Sequence, residues 1–280
     1  MPELPEVETM RRGILEIEGA VIERAERTPC KKRPINIVPR IDRLNRRVAG
    51  KRIKSVDRLG KRVVLRLEND DRLIFEPRMT GLVLIGNPPG DEHLRFCLFL
   101  EECSIDRLLF WDRRGLGQIH LLTSEQYDSK LNDGTLGPDA ISVSLDQFRT
   151  RFGKTRREIK VAMLDQSIVA GIGNLYASEI LHLSGVDPRA KCDRLKTKQW
   201  SRIYKNMIEV FKVAIKHEGS TLSDGTYRNA LNDPGGYQNL HRVYDREDEP
   251  CPNCKNKIRR IVQAQRSTFY CAKCQKKTAS

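Results

Sequence analysis

The chain predicts an α+β fold: an N-terminal β-sandwich with a flanking helix, then a helical lobe, then a cysteine-bearing β-hairpin. Three observations carry this. Between residues 19 and 122, short apolar runs with strand-like alternation recur between turns. After Leu136-Gly137-Pro138-Asp139 the apolar spacing switches to a helical period. The last thirty residues hold two close cysteine pairs, Cys251-x-x-Cys254 and Cys271-x-x-Cys274.

Length and charge narrow the function classes. At 280 residues the chain is long enough for two cores plus a small appendage. Lys and Arg number 51 against 37 acids, giving a net charge of +14 and a pI near 9.5. Such a balance suits a polyanion, nucleic acid foremost, better than a small neutral substrate. No apolar run reaches the length of a spanning helix and the N-terminus lacks a signal-peptide core, so the expectation is a soluble, cytoplasmic protein with no membrane partner.

The N-terminus reads Met1-Pro2-Glu3-Leu4-Pro5-Glu6. Two readings fit it. Proline and carboxylates suit the first turn of a helix expected over 5–17, because proline needs no N–H there and acids favour the positive end of the dipole. Alternatively, loss of Met1 leaves Pro2 as a secondary amine beside Glu3. An α-amino group with a pKa of roughly 7.7–8.0 is partly unprotonated near neutrality and can add to a carbonyl carbon.

Strands are expected at 19–26 and 51–57, with a strongly basic stretch, 31–47, between them that reads as a solvated face or a DNA contact. Gly60-Lys61 then leads into a hairpin, 62–67 and 73–75, turned by Asn69-Asp70-Asp71, with Lys61 at its mouth. By itself Lys61 would be a surface lysine. Further strands are expected at 82–85, 94–100, 107–111 and 118–122. Two loops, Arg78-Met79-Thr80-Gly81 and Asp112-Arg113-Arg114-Gly115-Leu116-Gly117, set an apolar side chain beside arginine and glycine. Met79 and Leu116 could be wedges entering a base stack, or could be tucked against their own core.

Helices are expected at 145–152, 157–164, 175–183 and 198–218. Gly171-Ile172-Gly173 breaks one helix and leaves Asn174 at the start of the next, where free N–H groups can receive a phosphate or Asn174 can act as an N-cap. Residues 219–238, with four glycines and no period, are either a lid or disordered. The terminal pattern C-x2-C-x16-C-x2-C suits one tetrahedral, structural Zn2+ on Cys251, Cys254, Cys271 and Cys274. Cys30, Cys97, Cys103 and Cys192 are scattered and read as plain thiols. Arg259, Arg260 and Arg266 between the knuckles offer cations to phosphate.

Together, the Pro2-Glu3-Leu4-Pro5-Glu6-Val7-Glu8-Thr9 start, Gly60-Lys61, Gly171-Ile172-Gly173-Asn174, and the cysteine ribbon with Gln265-Arg266-Ser267-Thr268-Phe269-Tyr270-Cys271 resemble the formamidopyrimidine-DNA glycosylase family along the whole chain. The resemblance implies a catalytic β-sandwich domain over 1–136, a helix–two-turn–helix domain with a lesion-capping loop over 137–240, and a zinc ribbon over 241–280. It implies a monomeric glycosylase and lyase acting on duplex DNA with oxidised purines or abasic sites, nucleoid-associated through that DNA. Pro2 matches the family nucleophile, Glu3 the acid that opens the deoxyribose, and Lys61 the essential lysine. Asn174 and Arg266 match phosphate anchors, Arg266 also a proton donor. Lys160 and Tyr244 fall at DNA-contact positions, Met79 at the gap-filling methionine and Arg114 at the opposite-base arginine.

Two departures stand out. The family usually carries Asp-Pro-Arg-Arg-Phe-Gly where Asp112 to Gly117 stand, so Leu116 replaces an aromatic wedge. A lysine-histidine pair usually precedes the positions of Glu92 and His93, and Gly90-Asp91 stands here instead. Two other readings are an oxidised-pyrimidine enzyme resembling endonuclease VIII, against which Leu4-Pro5 speaks, and a DNA-binding relative without catalysis.

Overall fold

The computed structural model describes residues 1–276 and divides into two compact units. The first comprises residues 1–132 and 215–238, the second residues 133–214 together with the chain from Asn239 onward.

The first unit is built on two sheets. Strands β1 (Val21–Arg27), β7 (Leu94–Glu101), β8 (Arg107–Asp112) and β6 (Gly81–Leu84) form one, all antiparallel, in the order β1-β7-β8-β6. The other runs β2-β9-β5-β4-β3, from Asn36–Val38, Gln118–Leu122, Arg72–Glu76, Arg62–Leu67 and Ile53–Leu59; only β2 and β9 are parallel. The inner faces meet at Phe75, whose ring centroid lies 5.9 Å from those of both Phe96 and Phe110. The sandwich expected from strand spacing is present.

Helix α1 (Leu4–Gly13) lies within this core. Leu4, Val7, Met10 and Ile14 form an apolar stripe at helical spacing and are fully buried. Glu6, Glu8 and Thr9 are buried too, so each must find partners. Thr9 Oγ1 donates to Pro5 O at 2.9 Å, and Glu8 accepts from Arg11, Arg12 and Arg58. The expected helix over 5–17 stops early: the α-helix ends at Gly13, which sits against Ala230, and Leu15–Ile17 form a 3-10 turn.

The basic stretch 31–47 is more than a charged face. It holds β2 and helix α2 (Ile41–Val48), whose Leu44 and Val48 are buried while Arg43 and Arg46 are exposed. Residues 219–238 are neither disordered nor loose along their length. Tyr227 and Ala230 belong to the sandwich core, and Ala230 O accepts the N–H of Ile85 at 3.0 Å. Exposed residues fall at Ser223 to Gly225 and at Leu231, Asp233 and Pro234.

In the second unit, α4 (Leu145–Gly153) and α7 (Thr197–Lys216) share an aromatic cluster of Phe148, Phe152, Trp200 and Tyr204. Helix α5 (Ile159–Met163) is shorter than the expected 157–164, because Arg157 N–H bonds Thr155 Oγ1 outside the helix. Gln166 closes the junction to α6 (Asn174–Ser184): its Oε1 accepts Gly171 N–H and its Nε2 donates to the carbonyls of Leu164 and Ile172. The final hairpin pairs β10 (Arg259–Gln263) with β11 (Arg266–Tyr270). A further helix, α3 (Ser124–Asn132), was not expected from the sequence. No helix is long and apolar enough to cross a membrane among the described residues.

Candidate active site and nucleic-acid interface

Pro2 and Glu3 are buried at the entrance to α1, Glu3 as its N-cap with 3% of its surface exposed. Glu3 N–H donates to Glu6 Oε2 at 2.8 Å, and Glu6 Oε1 accepts Ser220 N–H at 2.9 Å. Glu6 therefore fixes both the start of the helix and the start of the 219–238 segment. Met1 is in place, so the Pro2 nitrogen is an amide here and becomes an amine only when Met1 is removed.

Lys61 is half-buried in a two-residue turn between β3 and β4, where Leu59 pairs with Arg62 and Gly60 takes φ +56°. The expected hairpin, β4–β5, is present with Lys61 immediately before its first strand, and Lys61 also lies in the turn of the β3–β4 hairpin. Glu8 on α1 accepts Arg58 Nε at 3.0 Å, and Arg58 Nη1 donates to Gly60 O at 2.9 Å. A chain of three residues thus ties the Lys61 turn to the helix that begins at Pro2. Burial works against the Glu8 carboxylate, but Arg11, Arg12 and Arg58 outweigh it and hold it down to about 2.

The loops bearing Met79 and Leu116 are joined by Asp112, a wholly buried residue. Asp112 Oδ1 accepts Thr80 Oγ1–H at 2.5 Å and Arg114 N–H at 3.2 Å, while Oδ2 accepts Gly117 N–H at 2.7 Å. Arg95, also buried, donates Nε to Asp112 O at 2.8 Å. Gly115 takes φ +62°, and a Cβ at this position would meet the Arg33 carbonyl oxygen, so no side chain fits. Met79 stands 37% exposed and Arg114 is exposed; Leu116 is half-buried. Neither Glu6 nor Asp112 stood out as a site residue in the sequence.

The second unit groups Lys160, Asn174 and the ribbon. Asn174 is the first residue of α6 and Gly173 is the N-cap, so the asparagine side chain does not cap. Its Oδ1 accepts Lys160 Nζ at 2.5 Å and its Nδ2 donates to Ser267 O at 3.0 Å. Lys160 is 0% exposed and acts on Asn174 here. Glu179 of α6 accepts three backbone N–H groups, from Arg242, Val243 and Tyr244, at 2.8–2.9 Å. Burial pushes its carboxyl up, and those donors oppose the shift. They hold the turn bearing Tyr244, whose ring meets Phe269 edge-on at 5.3 Å. Arg266 is exposed and follows a tight turn in which Ala264 and Gln265 take φ +46° and +60°.

The four cysteine Sγ atoms all lie within 4.8 Å of one another, with Cys251–Cys274 at 3.8 Å and Cys254–Cys271 at 3.4 Å. Four thiolates around zinc at about 2.3 Å stand roughly 3.8 Å apart, so the donor set fits. The backbone N–H of Asn256 and the neighbouring thiols bring Cys254 down to about 7 despite some burial, whereas burial and the same neighbours raise Cys271 and Cys274. Four thiolates can ionise together here only around a cation.

Three family models match in chain order. They are the formamidopyrimidine-DNA glycosylase N-terminal domain over residues 1–119, the formamidopyrimidine-DNA glycosylase H2TH domain over 136–226, and the zinc finger found in FPG and IleRS over 248–277. The formamidopyrimidine-DNA glycosylase of Solibacter usitatus is 36% identical over 99% of this chain and 100% of its own. That of Chloroflexus aurantiacus is 35% identical over 98% of both. Among solved structures, the MutM protein of Thermus thermophilus superposes with a TM-score of 0.84 at 33% identity, covering 99% of this chain and 100% of its own. A Lactococcus lactis FPG mutant in complex with Fapy-dG containing DNA gives 0.87 at 30% identity, with the same coverage.

Proposed function

The chain belongs to the formamidopyrimidine-DNA glycosylase family, and from that premise we propose that Pro2, Glu3, Lys61 and Arg266 carry out its base-excision chemistry. The enzyme is a DNA-formamidopyrimidine glycosylase and abasic-site lyase of base-excision repair, acting on oxidised purines, with one structural zinc.

Once Met1 is removed, the Pro2 lone pair attacks C1′ of the damaged nucleotide. Glu3 gives a proton to the sugar ring oxygen, the C1′–N bond to the base breaks, and the opened sugar is left as an iminium on Pro2. The iminium draws electrons from C2′, so loss of a C2′ proton expels the 3′ phosphate. A second proton loss expels the 5′ phosphate, assisted by Arg266 as proton donor. Water then hydrolyses the remaining iminium and frees the secondary amine of Pro2. Lys61 supplies positive charge beside the reacting nucleotide.

The observation that carries this assignment is the double hold on the N-terminus. Glu6 fixes Glu3 at 2.8 Å through its backbone, and Glu8 with Arg58 ties the Lys61 turn to the same helix. A nucleophile placed by a rigid helix needs little reorganisation to react.

Asn174, steadied by Lys160, and exposed Arg266 suit contact with phosphates, and Tyr244 suits a contact beside them. The zinc on Cys251, Cys254, Cys271 and Cys274 holds the hairpin that presents Arg266. Met79 and Leu116 would fill the gap left by a flipped nucleotide, with Arg114 reading the base opposite. The domains we assign are 1–136, 137–240 and 241–280, and the chain acts as a monomer on lesion-bearing duplex DNA of the nucleoid. Single-turnover excision tests the reading. Duplexes with 8-oxoguanine or formamidopyrimidine should be cut to a one-nucleotide gap, and preference for thymine glycol would instead point to oxidised pyrimidines.

A further inference from the structure

His182 lies on α6, two turns beyond Asn174, and is 2% exposed. Its Nε2 stands 3.4 Å from Cys251 Sγ, and its Nδ1 is buried without a hydrogen-bond partner among the described residues. Cys251 is itself wholly buried and is one of the four sulfurs of the zinc site.

The tautomer follows from these contacts. A neutral imidazole carries one N–H. Placed on Nδ1, it would be a buried donor with no acceptor, and the bare Nε2 lone pair would face the lone pairs of the sulfur. Placed on Nε2, it points at an anionic sulfur and leaves only an unfilled acceptor at Nδ1. An N–H to a charged acceptor is stronger than one between neutral groups, and an unpaired donor is the costlier loss.

We propose that His182 is a positioning residue of the zinc centre, donating Nε2–H to the Cys251 thiolate. A four-thiolate zinc site carries two excess negative charges, and Cys251 is shut off from water. Hydrogen bonds from the protein therefore do the work that hydration does at an exposed sulfur. The bond also joins the metal site to α6, the helix whose Asn174 side chain holds Ser267 of the ribbon. Consequences for DNA binding rest on the phosphate roles proposed for Asn174 and Arg266. Zinc retention does not.

The test uses the zinc-loaded full chain without DNA. His182→Phe keeps a ring and removes the N–H; His182→Gln restores a side-chain N–H. Transfer of zinc to a chromophoric chelator should be about 10- to 100-fold faster in His182→Phe, with part of the loss recovered in His182→Gln. In cadmium-113-substituted wild-type protein, the His182 Hε2 proton should show scalar coupling to the metal through the sulfur. Release from His182→Phe within twofold of wild type overturns the proposal. So does an imidazole protonated at Nδ1, a result read on the wild type and independent of whether any variant folds. Failure of excision with these zinc results intact would count against the catalytic assignment alone.

Discussion

Glu6 and Ser220, 214 residues apart in sequence, are joined by one hydrogen bond of 2.9 Å from Ser220 N–H to Glu6 Oε1. The other oxygen of the same carboxylate takes the N–H of Glu3. A single buried acid thus sets the helix entrance and the start of the segment that returns to the sandwich core through Tyr227. In Glu6→Gln the amide can accept at one atom only and turns an NH2 towards the other N–H. Loss of about 1.5–3 kcal/mol of stability is expected, the range for hydrogen bonds to charged groups. Urea denaturation should show it, and excision should fall with it. Unchanged stability would mean that the two segments are held elsewhere.

Asp112 performs the same service for the Met79 and Leu116 loops through Thr80, Arg114 and Gly117. Asp112→Ala takes the acceptor from Thr80 Oγ1–H and Gly117 N–H, at about 1–3 kcal/mol each, while Arg114 N–H keeps Thr80 Oγ1 at 3.0 Å. Discrimination among the bases opposite the lesion should fall by about tenfold, which corresponds to roughly 1.4 kcal/mol. Excision rates opposite each of the four bases measure it. An unaltered ratio would show that the loop takes its working shape from the DNA instead.

Acid stability should depend on Glu8. Its carboxyl in the folded protein lies near 2, below the ordinary 4.5, so its contribution is complete above about pH 4.5 and is lost as pH falls towards 2. The ceiling on that contribution is roughly 3 kcal/mol. Glu8→Gln should be less stable than wild type at neutral pH, with the difference closing over that acid window. A gap that persists to pH 2 would assign the effect to packing.

Cys271→Ser removes one thiolate from the zinc site and should release the metal and loosen the ribbon. Metal analysis should find one zinc per wild-type chain and far less in the variant, and affinity for abasic duplex should drop at least tenfold. Full affinity in a zinc-free variant would separate the ribbon from DNA contact.

Local patterns made the sandwich, the helical lobe, the ribbon and the Pro2-Glu3 start readable in the sequence. Cysteine spacing and strand alternation act over a few residues. The supports of the site act across the chain and left no local mark. Asp112 matters because of Thr80, 32 positions away, and Glu6 because of Ser220. Helix α2 was hidden because arginines surround the stripe of Ile41, Leu44 and Val48. The 219–238 segment has no period, and its order comes from Tyr227 and Ala230 entering a core built by other residues. Resemblance put Lys160 among the DNA contacts, whereas its burial beside Asn174 appears only in the fold.

The central claim is that the secondary amine of Pro2 is the nucleophile. The direct measurement is borohydride reduction of the enzyme on 8-oxoguanine duplex, followed by digestion and mass spectrometry of the trapped peptide. The account predicts DNA joined to an N-terminal peptide that begins at Pro2, and no trapping by protein that retains Met1. Trapped DNA on Lys61 or any other lysine would contradict it.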